Sequence, residues 1–371
     1  MIFVDKNILW LWLNETVKLH RLKQFELFKK LGSIEKIYGA AESELAKFGF
    51  LHPSERKALS DKNTAHASER YEKLKKLGAR LITIDDDRYP TVLKEITDPP
   101  CVLYARGKDI DLNKRLCIAI VGARKADDYG NECAFNLAKS LASQGVIIVS
   151  GMAMGVDASS HEGALAARGL TVAVFGCGVE TAYPTMNTGL MARIIQNGLV
   201  ISEYPMGSGP ERFHFPERNR IISGVSQGII VTEAGTVSGS LITARTAYEQ
   251  GRDVFAVPGD VNRVLSKGTN GLLKDGARVA SCAEDVLSYY RLDYGDRLDY
   301  EEEPQEQETE EEVPCNDIEK KILRILSDTP VHFDDICART GLDTGSANAA
   351  LLLMEVSGKV RKAPGGFYTK K

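Results

Sequence analysis

The chain has 371 residues, 43% of them hydrophobic, which is enough for two or three domains and too apolar for a disordered polypeptide. Forty-seven basic against 51 acidic residues give a formal charge of −4, which taken alone disfavours a nucleic-acid binder. No apolar run reaches the roughly 18 residues of a membrane span. The opening residues lack a basic leader and a cleavage site, and the seven scattered cysteines form no Cys-x-x-Cys pair. A reducing, cytoplasmic location, with no membrane attachment and no metal site, is therefore expected.

Residues 1–80 read as a small helical domain of short helices punctuated by glycine. In LHRLKQFELFKKLG the spacing places Leu19, Leu22, Phe25 or Glu26, Phe28 and Leu31 near one face, and Gly32 supplies a stop. Another helix is predicted over His66–Leu77. Residues 81–111, with Pro99-Pro100, read as a bridge. The rhythm then changes. Six apolar runs, at 117–122, 146–151, 170–176, 199–203, 228–234 and 253–259, alternate with helices near 131–143, 157–167, 187–197, 218–224 and 239–249. Near-continuous apolar strands separated by helices predict an α/β fold, a Rossmann-like doubly wound, mostly parallel sheet over 112–292.

Residues 293–314 form an acidic segment. Its first twenty residues hold 11 acids and one base, so a disordered linker is predicted. That stretch carries −10, which leaves +6 on the rest of the chain. Residues 315–371 read as three helices and a hairpin around Pro364-Gly365-Gly366, a C-terminal winged-helix domain. Its third helix, Thr344–Val356, carries no Lys or Arg, so a protein partner suits it at least as well as duplex DNA.

In such sheets ligands bind at the carboxyl ends of the strands, so the loops there carry the functional expectation. The first loop, VGARKADDYG, has Gly122 for a tight turn and Arg124 as a fixed charge suited to phosphate; a surface arginine beside a structural glycine is the equal alternative. The second opens on the Gly-rich turn Ser150-Gly151. Asp157 and His161 follow, four apart on one helical face, where an acid–base pair is conceivable and a packed histidine is favoured, because no nucleophile completes a triad. Gly176-x-Gly178 in the third loop reads as a turn. The fourth, SEYPMGSGPERFHFPERNRIISG, gathers Arg212, Arg218 and Arg220 with Phe213, His214 and Phe215. Cations that track phosphates beside rings that stack bases are what a single strand demands. Ion pairs to Glu203, Glu211 and Glu217 are the alternative, above all for Arg220. The fifth loop has Ser238-Gly239-Ser240 at a helix start, an anion site without the lysine of a P-loop. Several phosphate-compatible loops without a nucleophile predict a polyanion binder needing no cofactor. An enzyme acting on a nucleotide or phosphorylated small molecule is the runner-up, and a duplex-reading regulator the third reading.

The series VGARKADDYG, SGMAMGVDASSHEGAL, SEYP, FPERNRIISG, SGSLITARTA and FAVPG resembles, in order and spacing, the DNA-processing protein A family. The helical N-terminal part (sterile-alpha-motif- or helix-hairpin-helix-like) and the winged helix also resemble that family's arrangement. The resemblance implies a cytoplasmic bacterial protein of natural transformation. Such a protein binds and protects incoming single-stranded DNA, helps load the RecA recombinase onto it, is not an enzyme, and forms a homodimer through the Rossmann-like domain. It implies a phosphate contact for Arg124, a base-contacting ring for Phe215, and a basic position for Arg212 where the family often has lysine. Arg218, Asn219 and Arg220 match its R-N-R, and Ser238, Gly239 and Ser240 its S-G-S. With Gly122 and Gly151 these residues make the predicted DNA-binding set. Ala123 departs from the family's usual Ser or Thr, which implies one hydroxyl contact fewer.

Overall fold

The computed structural model describes residues 4–295, 317–327, 330–356, 359–363 and 365–370. They fall into two compact units, Met1–Tyr300 and Glu301–Lys371. The first unit is built on nine strands: β1 (Ala79–Thr83), β2 (Val102–Gly107), β3 (Cys117–Val121), β4 (Ile147–Ser150), β5 (Thr171–Phe175), β6 (Leu199–Ser202), β7 (Gly228–Val231), β8 (Asp253–Ala256) and β9 (Arg278–Val279). Their order across the sheet is β1-β2-β6-β5-β4-β3-β7-β8-β9. From β6 to β9 all neighbours run parallel. All six predicted strands are present. β3 to β7 are buried along their whole length, as a sheet covered on both faces requires.

Alternation along each strand divides the interior in two. On β3, Cys117, Ala119 and Val121 join one core, while Ile118 and Ile120 join the other. The first core is continuous with the N-terminal helices: Leu9, Trp10 and Leu13 pack into the same cluster as Tyr104, Val174 and Ile201. The segment expected to bridge two domains supplies β2 and most of β1, which extend the sheet antiparallel beyond β6. Their apolar residues, Leu81, Ile82, Leu103 and Tyr104, find burial there.

One N-terminal detail differs from the periodicity. The helix Arg21–Leu31 buries Gln24 and Leu27, whereas Leu22, expected on the inner face, is 42% exposed. The Gln24 amide donates to the Leu19 carbonyl at 2.6 Å and to Asn14 Oδ1 at 3.0 Å, so a polar side chain occupies an inward position at no loss of hydrogen bonding.

The second unit holds helices Asp317–Leu323, Phe333–Thr340 and Thr344–Val356. It also holds a small antiparallel sheet of β10 (Val331–His332), β12 (Phe367–Lys370) and β11 (Val360–Ala363), in that order. Its own core contains Ile322, Ile336, Leu351, Met354 and Tyr368. This is the winged-helix arrangement expected from the sequence. Within the predicted linker, the helix Ala283–Tyr294 takes in the first two residues, and 296–314 lie outside the described residues. Among the described residues no helix is long and apolar enough to cross a membrane.

The chain winds from β3 outward through β4, β5 and β6, then returns to the other side of β3 for β7, β8 and β9. Connections leaving β3 and β7 therefore diverge, and a crevice opens between them at their carboxyl ends. That switch point is where open α/β sheets hold ligands.

Candidate nucleic-acid interface

A crevice of roughly 420 Å³ occupies the switch point. The loop after β3 contributes Gly122, Arg124 and Lys125. Helix His214–Gly224 contributes Arg218 and Asn219, and the start of helix Gly239–Glu249 contributes Ser238, Gly239 and Ser240. A smaller hollow of about 60 Å³ is lined by Arg124, Gly151, Met154, Tyr183, Phe215 and Arg218.

Two glycines allow this closeness. A Cβ on Gly122 would lie 2.6 Å from Val156 Cγ2, so a side chain there would push the β3 loop off the helix Val156–Ala166. A Cβ on Gly151 would lie 2.4 Å from Arg218 Nη2, where the guanidinium now sits.

Arg124 is exposed and has no ion-pair partner among the described residues, so its charge is available to a ligand. Its guanidinium carbon lies 5.4 Å from the centre of the half-buried Phe215 ring. That ring in turn lies 5.2 Å from the ring of Tyr183, inclined by 32°. A cation and two aromatic faces thus form one continuous rim.

Arg218 forms the floor. It is 3% exposed. Nη1 donates to the Gly151 carbonyl at 2.9 Å and to the Val174 carbonyl, and Nε donates to Asn219 Oδ1 at 3.2 Å. Burial lowers its pKa to about 10 against the opposing pull of Asp157, so it remains a cation at neutral pH. Asp157 Oδ2 accepts from the Gly151 and Ala153 amides at 3.2 and 3.4 Å and shapes the Gly-rich turn; burial raises its pKa. Ser238 caps the helix behind the crevice, with its hydroxyl 2.7 Å from that of Ser240 and accepting from the Ser240 amide at 3.3 Å.

The fourth loop is shorter than expected, because the helix begins at His214 and not near 218. Helical geometry then sorts its residues. Phe215, Arg218, Asn219 and Ile222 recur at helical spacing and line the two cavities. Arg220 stands two residues beyond Arg218, about 200° around the axis. It faces away from the crevice, is 7% exposed, and pairs with Glu203 and with Asp98, Nε to Oδ2 at 3.1 Å. The expected crevice role of Arg220 is corrected on this ground. Arg212 lies on the turn before the helix, exposed, without an ion-pair partner among the described residues, and outside the crevice lining. Of the four expected arginines, Arg124 and Arg218 share the crevice, Arg212 sits beyond its lining, and Arg220 stands behind it.

Among the lining residues not singled out from the sequence are Lys125 and Tyr183. Lys125 adjoins Arg124, and adjacency was its only signal. Tyr183 sits in the third loop, where it read as part of a turn.

Asp157 and His161 are both buried. His161 Nδ1 lies 2.7 Å from Thr171 Oγ1, whose own hydroxyl donates to the Ile148 carbonyl at 2.8 Å, so the imidazole proton sits on Nδ1. Burial and the nearby Arg218 lower the His161 pKa from 6.5 to about 3. The ring is neutral and packed, the role favoured for it, and it does not line the crevice. Among the described residues no group of three or more metal-ligating side chains converges.

A Rossmann-like sheet with a cationic, aromatic-rimmed crevice at its switch point, followed by a winged helix, defines a class of recombination mediators. Family models match residues 80–291 as DNA recombination-mediator protein A and residues 302–366 as the DprA winged helix domain. The chain belongs to the DNA recombination-mediator protein A family. It is 35% identical to Protein Smf of Synechocystis sp., an alignment spanning 96% of this chain and 95% of the relative. The X-ray structure of DNA processing protein A from Streptococcus pneumoniae matches with a TM-score of 0.69 at 34% identity, over 77% of this chain and 98% of that one. The Helicobacter pylori DNA processing protein A, described for its single-stranded DNA binding mode, matches with a TM-score of 0.53 at 33% identity, over 58% of this chain and 97% of that one.

Proposed function

We propose that this protein binds single-stranded DNA across the switch-point crevice, shields it, and presents it to the RecA recombinase during bacterial natural transformation. The observation that carries the reading is the rim: an unpaired Arg124 over Phe215, with Tyr183 against that ring, above the fixed cation of Arg218. Phosphates follow the cations and bases stack on the rings, a mode that tolerates any sequence. The Helicobacter pylori relative, described as a single-stranded DNA binder, supports the same assignment. The role is that of a binding mediator and not of an enzyme, which agrees with the sequestered, neutral His161. We place it in the cytoplasm as a homodimer formed through the Rossmann-like unit.

The test is fluorescence anisotropy of labelled oligothymidine and of a duplex of equal length across a salt series. Salt-dependent preference for the single strand is expected. Equal affinity for both forms, or wild-type affinity in both Arg124→Ala and Phe215→Ala, would overturn the assignment.

A further inference from the structure

The back of helix His214–Gly224 carries a second cluster of charge. Arg21, the first residue of helix Arg21–Leu31, reaches Glu217 (Nη1 to Oε2, 3.2 Å) and Asp98 (Nε to Oδ2, 3.4 Å). Arg220 joins Asp98 to Glu203, and the Tyr204 hydroxyl donates to Glu217 at 3.1 Å. Two guanidinium groups thus hold three carboxylates. A second tether lies nearby. Arg70, on helix Ala65–Lys76, pairs with the buried Glu15 and donates to the carbonyl of Met206, in the loop that leads to Arg212 and Phe213. Glu15 is fixed from its other side by the Tyr104 hydroxyl at 2.7 Å.

None of these contacts faces the crevice. Glu217 and Arg220 occupy one side of the helix, while Phe215, Arg218 and Asn219 occupy the other. We infer that the N-terminal helical region is a positioning element of the crevice: through Arg21 it clasps the back of helix His214–Gly224 and so fixes where Phe215 and Arg218 stand relative to Arg124. This inference rests on the single-strand reading above.

Among the described residues Glu217 is ion-paired to Arg21 alone, so that pair ties the helix edge to the N-terminal region. Glu203 Oε1 and Arg220 Nη1 are buried in the cluster without hydrogen-bond partners. Removing Arg21 leaves Arg220 alone against Asp98, Glu203 and Glu217. Like-charge repulsion then acts on the helix edge at Glu217, and the opposite edge carries the crevice residues with it. The N-terminal region shares one core with the sheet, so its helices are a rigid base for such a clasp.

The decisive variant is Glu217→Gln in the full chain, with Arg21→Ala and Arg21→Lys beside it. Glu217→Gln removes a negative charge from a protein that binds a polyanion. Simple electrostatics therefore predicts tighter binding of oligothymidine, whereas a clasp predicts weaker. We expect Glu217→Gln and Arg21→Ala each to weaken binding about fivefold, the effect of losing one partly exposed ion pair. The slope of log affinity against log salt should stay at the wild-type value, because no phosphate contact is lost. Arg21→Lys should recover most of the affinity. Hydrogen exchange of the 214–224 amides should quicken several-fold in Glu217→Gln without DNA, which reads the clasp even where a variant or the wild type does not bind. Wild-type or tighter binding by Glu217→Gln, a reduced salt slope in Arg21→Ala, or unchanged exchange over 214–224 would overturn the clasp. Failure of the wild type to bind oligothymidine would instead remove the single-strand reading, and the exchange result would still decide whether the clasp exists.

Discussion

The two sides of helix His214–Gly224 use the same residue type to opposite ends. On the crevice side, Arg124 lies over the Phe215 ring, and Arg218 donates to the Gly151 and Val174 carbonyls with the Asp157 carboxyl nearby. On the back, Arg21 and Arg220 meet Asp98, Glu203 and Glu217. The first pair offers a positive field to a ligand. The second has its charge consumed inside the protein. An arginine's value to an anion is decided by its partners, and two arginines only two residues apart can fall on either side of that divide.

The largest expected effect tests whether both buried arginines are structurally fixed. Arg218→Ala and Arg220→Ala should each cost about 3–5 kcal/mol in urea denaturation, since each leaves buried acceptors or carboxylates without their cation. A neutral result for Arg220→Ala would break the description of the back cluster. Next in size is a pH effect beneath the crevice floor. The folded His161 refuses a proton that the unfolded chain accepts below its ordinary value of 6.5, down to about 3. Its contribution to stability is therefore complete above that ordinary value and is lost as pH falls, by about 1.4 kcal/mol per unit. His161→Asn should flatten the melting temperature against pH between neutrality and pH of about 5, roughly two units below. An unchanged profile would mean that the floor admits water.

Binding effects are smaller and separate the rings from the charges. Phe215→Ala should lose about 1–3 kcal/mol of oligothymidine affinity at an unaltered salt slope, because stacking releases no counterion. Arg124→Ala should weaken binding, lower the salt slope by about 0.7, and leave the urea midpoint unchanged, as an exposed and unpaired side chain requires. Arg212→Ala should give the smallest change of all, measured in the same titration, since its side chain lies outside the crevice lining.

Much of this was legible in the residues. The strands from β3 to β8 announce themselves through local apolar runs, and the loops that follow them are correctly placed at one end of the sheet. The helix start at His214 was not legible. Pro216 argues locally for a loop, yet it sits in the first helical turn, where its missing N–H is an orphan in any case. The N-terminal face was misjudged for a related reason: Gln24 turns inward because Leu19 and Asn14 supply acceptors, and polarity alone gives no hint of them. Tyr183 reaches the Phe215 ring only because the chain folds the third loop against helix His214–Gly224, whereas Lys125 simply follows Arg124 along the chain.

The sequence by itself determined the family, the doubly wound sheet and the origin of the negative charge, because these depend on runs of neighbouring residues. The formal −4 belongs to the acidic segment and says nothing about the crevice. Only the tertiary structure decided which arginines remain free. Arg21 and Glu217 are 196 residues apart, and no local pattern pairs them. The turn of roughly 100° per residue along one helix did the rest, sending Arg218 to the crevice and Arg220 to the carboxylates behind it.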